Sequence, residues 1–332
     1  MKLLSLLAVT AALLIAPLTQ ANTTLKIATI APDGTGWMKL MRQAADEIQA
    51  KTDGRVKVRY FPGGIQGSDK SVLRKMQIRQ LQGGAVSTGA LAQIANITQL
   101  YSMPFLFRNL DEIRAIRPEF DPMIEQALAE QGYTLLGLSE GGFAYLMSNT
   151  PLRSTTDVRS KKVWVPEGDI ISQTTFEKGK VEPISLPVSD VYTSLQTGLI
   201  DTIGVNPTTA IALQWHTKVN YATDYPLIFL FGALVVDSRA LDKVSEADKK
   251  VVRESMKKAF ADMDKQNEND ERQAREALIQ NGVQFVELTD ENKADWRNLA
   301  QQSVDALRAK NIYPVAVYQK LLDRLQQLRQ QA

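Results

Sequence analysis

The chain has no cysteine and a single histidine among its 332 residues. The first absence excludes disulfides, thiolate catalysis and Cys-ligated metal centres. The second leaves His216 as the one residue that a Ser-His-Asp triad or a His-ligated zinc site would have to use. It sits in Gln214-Trp215-His216, with no G-x-S-x-G motif beside it, so a structural role is expected. A charge of one sign is also lacking. The 39 basic and 37 acidic residues are interspersed without a long basic tract, which argues against nucleic acid as a partner. Gly34, Gly36 and Gly63-Gly64 form neither a P-loop nor G-x-G-x-x-G. No metal, cofactor or catalytic residue is expected.

Met1-Lys2 supplies a positive charge, Leu3 to Pro17 is almost wholly apolar, and Thr19-Gln20-Ala21 places small residues at a cleavage site. This is the pattern of an export signal, with cleavage expected after Ala21 and a periplasmic destination. The apolar run is shorter than the roughly 20 residues that span a bilayer. The length that remains suggests two domains.

Leu25 to Ile30 reads as a strand, a helix opens at Trp37, Val56 to Tyr60 alternates as a strand, and a helix is expected from about Ser68 to Gln82. The alternation restarts with strands at Tyr133–Leu138, Ala144–Ser148, Lys162–Val165 and Asp201–Val205, and a last one at Phe229–Val236. Such alternation predicts an α/β fold with helices on a mostly parallel sheet. Ser245 and Asp248 form an acidic variant of a capping box, and the helix they open runs to about Ile279. It has apolar faces at both ends and a polar middle, Lys265 to Arg272. The pattern fits one helix bridging two lobes; a break near Asn267 giving two helices is the alternative. The boundaries expected are 22–143 with 228–262 in lobe I and 144–227 with 263–332 in lobe II, the helix at about 245–280 spanning both.

Ligands of open α/β sheets bind beyond the carboxyl ends of strands. Thr35, Trp37, Gln66, Thr88, Trp164, Tyr192 and Asn206 fall there. Each has a plain structural explanation as well, Trp164 as a core residue and Asn206-Pro207 as a turn.

Tyr60-Phe61-Pro62-Gly63-Gly64, Met103 to Phe107, Lys162 to Pro166, and above all Ser189 to Asp201 followed by Asn206-Pro207 carry a resemblance. Over nearly all of the chain beyond residue 21, the sequence resembles the substrate-binding proteins of the tripartite ATP-independent periplasmic (TRAP) transporters, in the C4-dicarboxylate branch. The resemblance implies a two-lobe periplasmic binding protein fold with crossover hinge strands and a long bridging helix. It also implies capture of a small organic solute by a monomer that closes like a hinge and docks a membrane permease of two subunits. In the family the Arg of an Arg-Val-Pro strand end meets the ligand carboxylate, and a second Arg often follows Gly-Phe; here Trp164 and Ala144 stand at those positions. Asn206 matches the family's Asn. The expected lining is therefore Trp164 as an aromatic wall, Asn206 as an anchor, and Trp37, Gln66, Thr88, Phe143, Tyr145 and Tyr192. Arg74 is a further candidate for a carboxylate. Dicarboxylate binding is not expected to carry over, because an indole offers one donor where a guanidinium offers five and a charge. Alternative functions are an ATP-driven uptake receptor, a sensor for a histidine kinase, and a periplasmic hydrolase or lyase.

Overall fold

The computed structural model describes residues 22–331; the expected export signal lies outside them. The described residues contain ten strands: β1 (Thr23–Thr29), β2 (Val56–Phe61), β3 (Gly83–Ser87), β4 (Tyr133–Ser148), β5 (Trp164–Pro166), β6 (Ile184–Leu186), β7 (Thr202–Val205), β8 (Tyr221–Thr223), β9 (Ile228–Asp237) and β10 (Gln284–Val286). The main sheet runs β10-β8-β4-β9-β3-β1-β2, with β7 also paired to β4. The ladders β2-β1-β3 are parallel, and β9 runs antiparallel between β3 and β4. The expected strand–helix alternation builds β1 to β3, but the sheet is mixed rather than mostly parallel, because β4 runs antiparallel to β7, β8 and β9, and β9 antiparallel to β3. Strands β5 and β6 form a separate parallel pair in lobe II, tied to the sheet by the bridge Val163 to Thr202.

Strand β4 is the crossover. Its first part pairs with β9 as far as Ala144, and its last four residues pair with β7. The ladder is irregular between Glu140 and Gly142. Gly142 has φ +95°, and a Cβ there would stand 2.7 Å from the Glu271 carboxyl carbon. Only glycine meets both the left-handed backbone and the close approach. Gly137 is likewise required, because the Phe260 ring lies where its Cβ would be.

The helix Glu246–Gln280 is continuous over 35 residues, about 50 Å at 1.5 Å per residue. Ser245 Oγ caps it by accepting from Asp248 N at 3.1 Å. Val252, Met256, Phe260 and Met263 pack into lobe I, and Leu278 into lobe II. The alternative break near Asn267 does not occur. The polar middle is used up at the hinge: Asn267 Nδ2 donates to Glu140 O, and Asp264 Oδ2 accepts from Arg117 at 2.6 Å.

Two further expectations need correction. The helix expected to reach Gln82 ends at Gln77, where Arg79 turns the chain with φ +63° and Lys75 O accepts from Gln80 N and Leu81 N. The assignment of residues 263–332 to lobe II also fails at its C-terminal end. The helix Asp290–Ala309 starts on lobe II, with Trp296 and Leu299 against Val163 and Phe176. It ends on lobe I, where Val304 and Leu307 share a core with Ile113, Phe120 and Phe231. The final helix, Val315–Gln331, lies on the helix Leu110–Glu130 of lobe I and is held by Lys320–Glu119 at 2.8 Å and Arg329–Glu112 at 2.7 Å. A second helix therefore bridges the lobes.

Candidate functional site

The strand ends of β1, β2 and β3 belong to lobe I and those of β5, β6 and β7 to lobe II. The two lobes touch. Lys70 Nζ lies 3.7 Å from Glu167 Oε1, and Ile171 of lobe II shares the lobe I core.

On the lobe I side, Trp37 is half-buried at the start of the helix Gly36–Lys51, where the Gly36 backbone abuts Gln266 and Asp270 of the long helix. Gln66 offers its carbonyl and Oε1 to Lys75 Nζ at 2.8 and 2.9 Å, which fixes the loop after β2. Thr88 is buried, with Oγ1 3.2 Å from Ser102 Oγ. Arg74 is exposed on its helix. Asp69 was not singled out from the sequence. One of its carboxyl oxygens accepts from Ser87 N and Oγ at 2.9 and 2.8 Å, while Oδ1 is buried with no donor. Burial pushes its pKa up.

On the lobe II side, Tyr192 is half-buried under Lys218 Nζ, 5.2 Å from the ring centre. Trp164 is not a wall of the cleft. It is 4% exposed, its Nε1 donates to Leu186 O at 3.0 Å, and it meets Trp215 edge to face at 5.3 Å. Both the indole donor and the ring faces are consumed inside lobe II, so the core reading of this residue replaces the expected aromatic wall. Ala144 is buried as well. Neither position where the family has an Arg offers a charge. His216 Nδ1 lies 3.1 Å from Ala210 O, a local contact within lobe II.

Phe143, Tyr145 and Asn206 converge at the hinge. Phe143 and Tyr145 line a cavity of about 240 Å³ between β4 and the long helix. Asn206 is buried at its side, donating Nδ2 to Gly141 O and, at 2.8 Å, to Glu271 Oε1; its Oδ1 has no partner. Thr208 N also donates to Glu271 Oε1, at 3.3 Å. Burial, outweighing these donors, pushes the Glu271 carboxyl up to about 7. Arg275 stands nearby but is engaged. It pairs with Asp224 at 2.9 Å, lies 3.6 Å from the Phe285 ring centre and 5.8 Å from that of Tyr145. Glu271 and Arg275 escaped the sequence reading, although the polar middle of the helix, Lys265 to Arg272, was a signal for Glu271.

The raised Glu271 pKa has a measurable consequence. The folded state holds a proton between about 4.5 and about 7 that the unfolded chain has released. Stability from this group is therefore full below about pH 4.5 and is lost as pH rises through about 7. We expect the melting temperature of wild type to fall between pH 5.5 and pH 8 more steeply than that of Glu271→Gln. Parallel profiles would show that Glu271 titrates as an ordinary carboxylate.

Among the described residues, no group of three His, Cys, Asp or Glu side chains is placed to hold a metal ion, and no helix is long and apolar enough to cross a membrane.

Two α/β lobes, joined by a crossover strand and by helices that span both, define the class of two-lobe binding proteins. Comparison with known proteins makes the class specific. Residues 27–311 match the family described as "Bacterial extracellular solute-binding protein, family 7", and the chain belongs to that family. It is similar to the C4-dicarboxylate-binding periplasmic protein DctP of Rhodobacter capsulatus, 26% identical over 276 residues that cover 81% of this chain and 80% of the other. Among solved structures, it resembles a TRAP periplasmic solute-binding protein from Shewanella oneidensis with bound succinate. The TM-score is 0.85 at 18% identity, covering 92% of this chain and 100% of the other. Another from Xanthobacter autotrophicus PY2, with bound β-D-galacturonate, gives 0.83 at 20% identity, covering 91% and 98%.

Proposed function

We propose that this chain is an exported receptor, cleaved after Ala21, that closes on a small organic solute in the periplasm and delivers it to a TRAP-type permease of two membrane subunits. It acts as a monomer and performs no chemistry on the solute. The observation that carries this reading is the family match over residues 27–311 on a fold whose two lobes are hinged at β4, β9 and the long helix. The lobe boundaries we propose are 22–143 with 228–262 and 144–227, the C-terminal helices being shared as described above.

The solute differs from a C4-dicarboxylate. Buried Ala144 and Trp164 replace the two guanidinium groups that would fix carboxylates, while Asp69 Oδ1 on the lobe I side and Asn206 Oδ1 at the hinge are acceptors without donors. A buried acceptor left unpaired costs about 1–3 kcal/mol, so a ligand that brings N–H or O–H groups is favoured. Trp37, Gln66, Thr88 and Tyr192 remain the candidate lining of the cleft. Native mass spectrometry of the purified protein, followed by thermal-shift titration against dicarboxylates, sugar acids, polyols and amines, tests both parts. We expect a retained or stabilising small solute and no micromolar binding of succinate, malate or fumarate. Tight dicarboxylate binding would refute the ligand class alone. Turnover of a bound solute would refute the receptor reading and favour a hydrolase or lyase.

A further inference from the structure

We propose that the hinge cavity is a second binding site, separate from the interlobe cleft, for a small organic ammonium ion. The inference goes beyond solute capture and does not depend on it. Side chains alternate across a strand, so Phe143 and Tyr145 share one face of β4 and Ala144 points to the other. The cavity is thus on the face of β4 opposite Ala144.

Its walls have the chemistry of a cation site. Phe143, Tyr145 and Phe229 supply aromatic surface, Glu140, Glu268 and Glu271 supply carboxylates, and Arg272 and Arg275 also stand in the wall. Aromatic rings with a carboxylate recognise alkylated ammonium groups through cation–π and ionic attraction. The carboxylates differ in what they already hold. Glu140 is taken by Arg114 and Arg117 at 3.1 and 3.0 Å, and Glu268 by Arg114 at 3.1 Å. Glu271 forms no ion pair among the described residues. Its neighbouring cations are both engaged elsewhere, Arg275 with Asp224 and Arg272 with Glu276. Asp270, adjacent on the helix, adds negative charge rather than relieving it. From β4 the facing titratable groups are Glu140 and Tyr145, and the segment Asn206 to Thr208 brings only neutral donors. A cation of a few heavy atoms suits a volume of about 240 Å³, which lies below the roughly 300–1,000 Å³ of drug-sized pockets.

Such an ion would prefer ionised Glu271, so its affinity should weaken toward tenfold per pH unit below about 7. The test is isothermal titration of the secreted form with choline and with its neutral isostere 3,3-dimethylbutan-1-ol, at pH 6 and pH 8. Choline should bind, more tightly at pH 8, and the isostere at least tenfold less well. Glu271→Gln keeps the acceptor for Asn206 and should lose at least tenfold in choline affinity. Tyr145→Ala, which leaves the Glu271–Asn206 contact in place, should also weaken it. Hydrogen exchange should show choline-dependent protection around residues 267–275. No choline binding at roughly 10 mM, equal binding of the isostere, or affinity unchanged in Glu271→Gln would overturn the proposal.

Discussion

Arg117→Ala is expected to destabilise the protein by about 3–5 kcal/mol, the range for stripping one partner from a buried ion pair. Arg117 stands on the helix Leu110–Glu130 at the start of the hinge. Its guanidinium donates to Asp121 at 2.9 Å, Glu140 at 3.0 Å, Asp264 at 2.6 Å and the Leu138 carbonyl at 3.0 Å. Those acceptors come from its own helix, from the crossover strand and from the long helix. One side chain therefore locks three elements whose relative position sets the hinge. Glu140 is only 3% exposed, and after the substitution it keeps Arg114 alone. Arg117→Lys restores the charge without the planar fork and should recover part of the loss. Urea titrations at pH 7.5 measure both effects. A loss under about 1 kcal/mol at pH 7.5 would mean that Arg114 suffices, at the level of an exposed pair.

This network explains what the sequence could and could not reveal. The bridging helix was legible because a cap, two apolar faces and a polar middle are all local properties of residues 245–280. The strands of lobe I were legible for the same reason: Val56 to Tyr60 alternates, and Leu25 to Ile30 is bounded by turn residues. What the polar middle touches was not legible. Glu271 reaches Asn206 over 65 residues, and Arg329 reaches Glu112 over 217. No periodicity encodes such pairings. The helix Asp290–Ala309 illustrates the limit. Its apolar stripe announces that it packs, yet Trp296 faces one lobe and Leu307 the other. Amphipathicity has no label for the partner. For the candidate site, Phe143 and Tyr145 share one face of β4. Which face lies toward the cleft depends on the crossover between β9 and β7, a tertiary feature.

Trp164→Arg is expected to damage the fold rather than to create a dicarboxylate site. The family resemblance suggested the opposite, since an arginine at this position would restore the residue that meets a carboxylate. In the structure the indole fills the lobe II core beside Val191, Ile203 and Leu278, with Trp215 against its face. A guanidinium there would lack both a counter-ion and water, and burying an unpaired charge is among the most costly single changes. Trp164→Ala separates the two contributions. It removes the ring without adding charge and should cost about 3–5 kcal/mol, through the cavity it leaves and the Leu186 carbonyl it deprives of a donor. Trp164→Phe retains most of the packing and loses the donor, so it should fall between Ala and wild type. Arginine should be at least as damaging as alanine, and neither should gain affinity for succinate. Urea unfolding of the three variants, with succinate titration of each that folds, decides the matter. If Trp164→Arg unfolds at the wild-type midpoint and binds succinate at micromolar concentration, the side chain reaches the cleft and the core assignment fails.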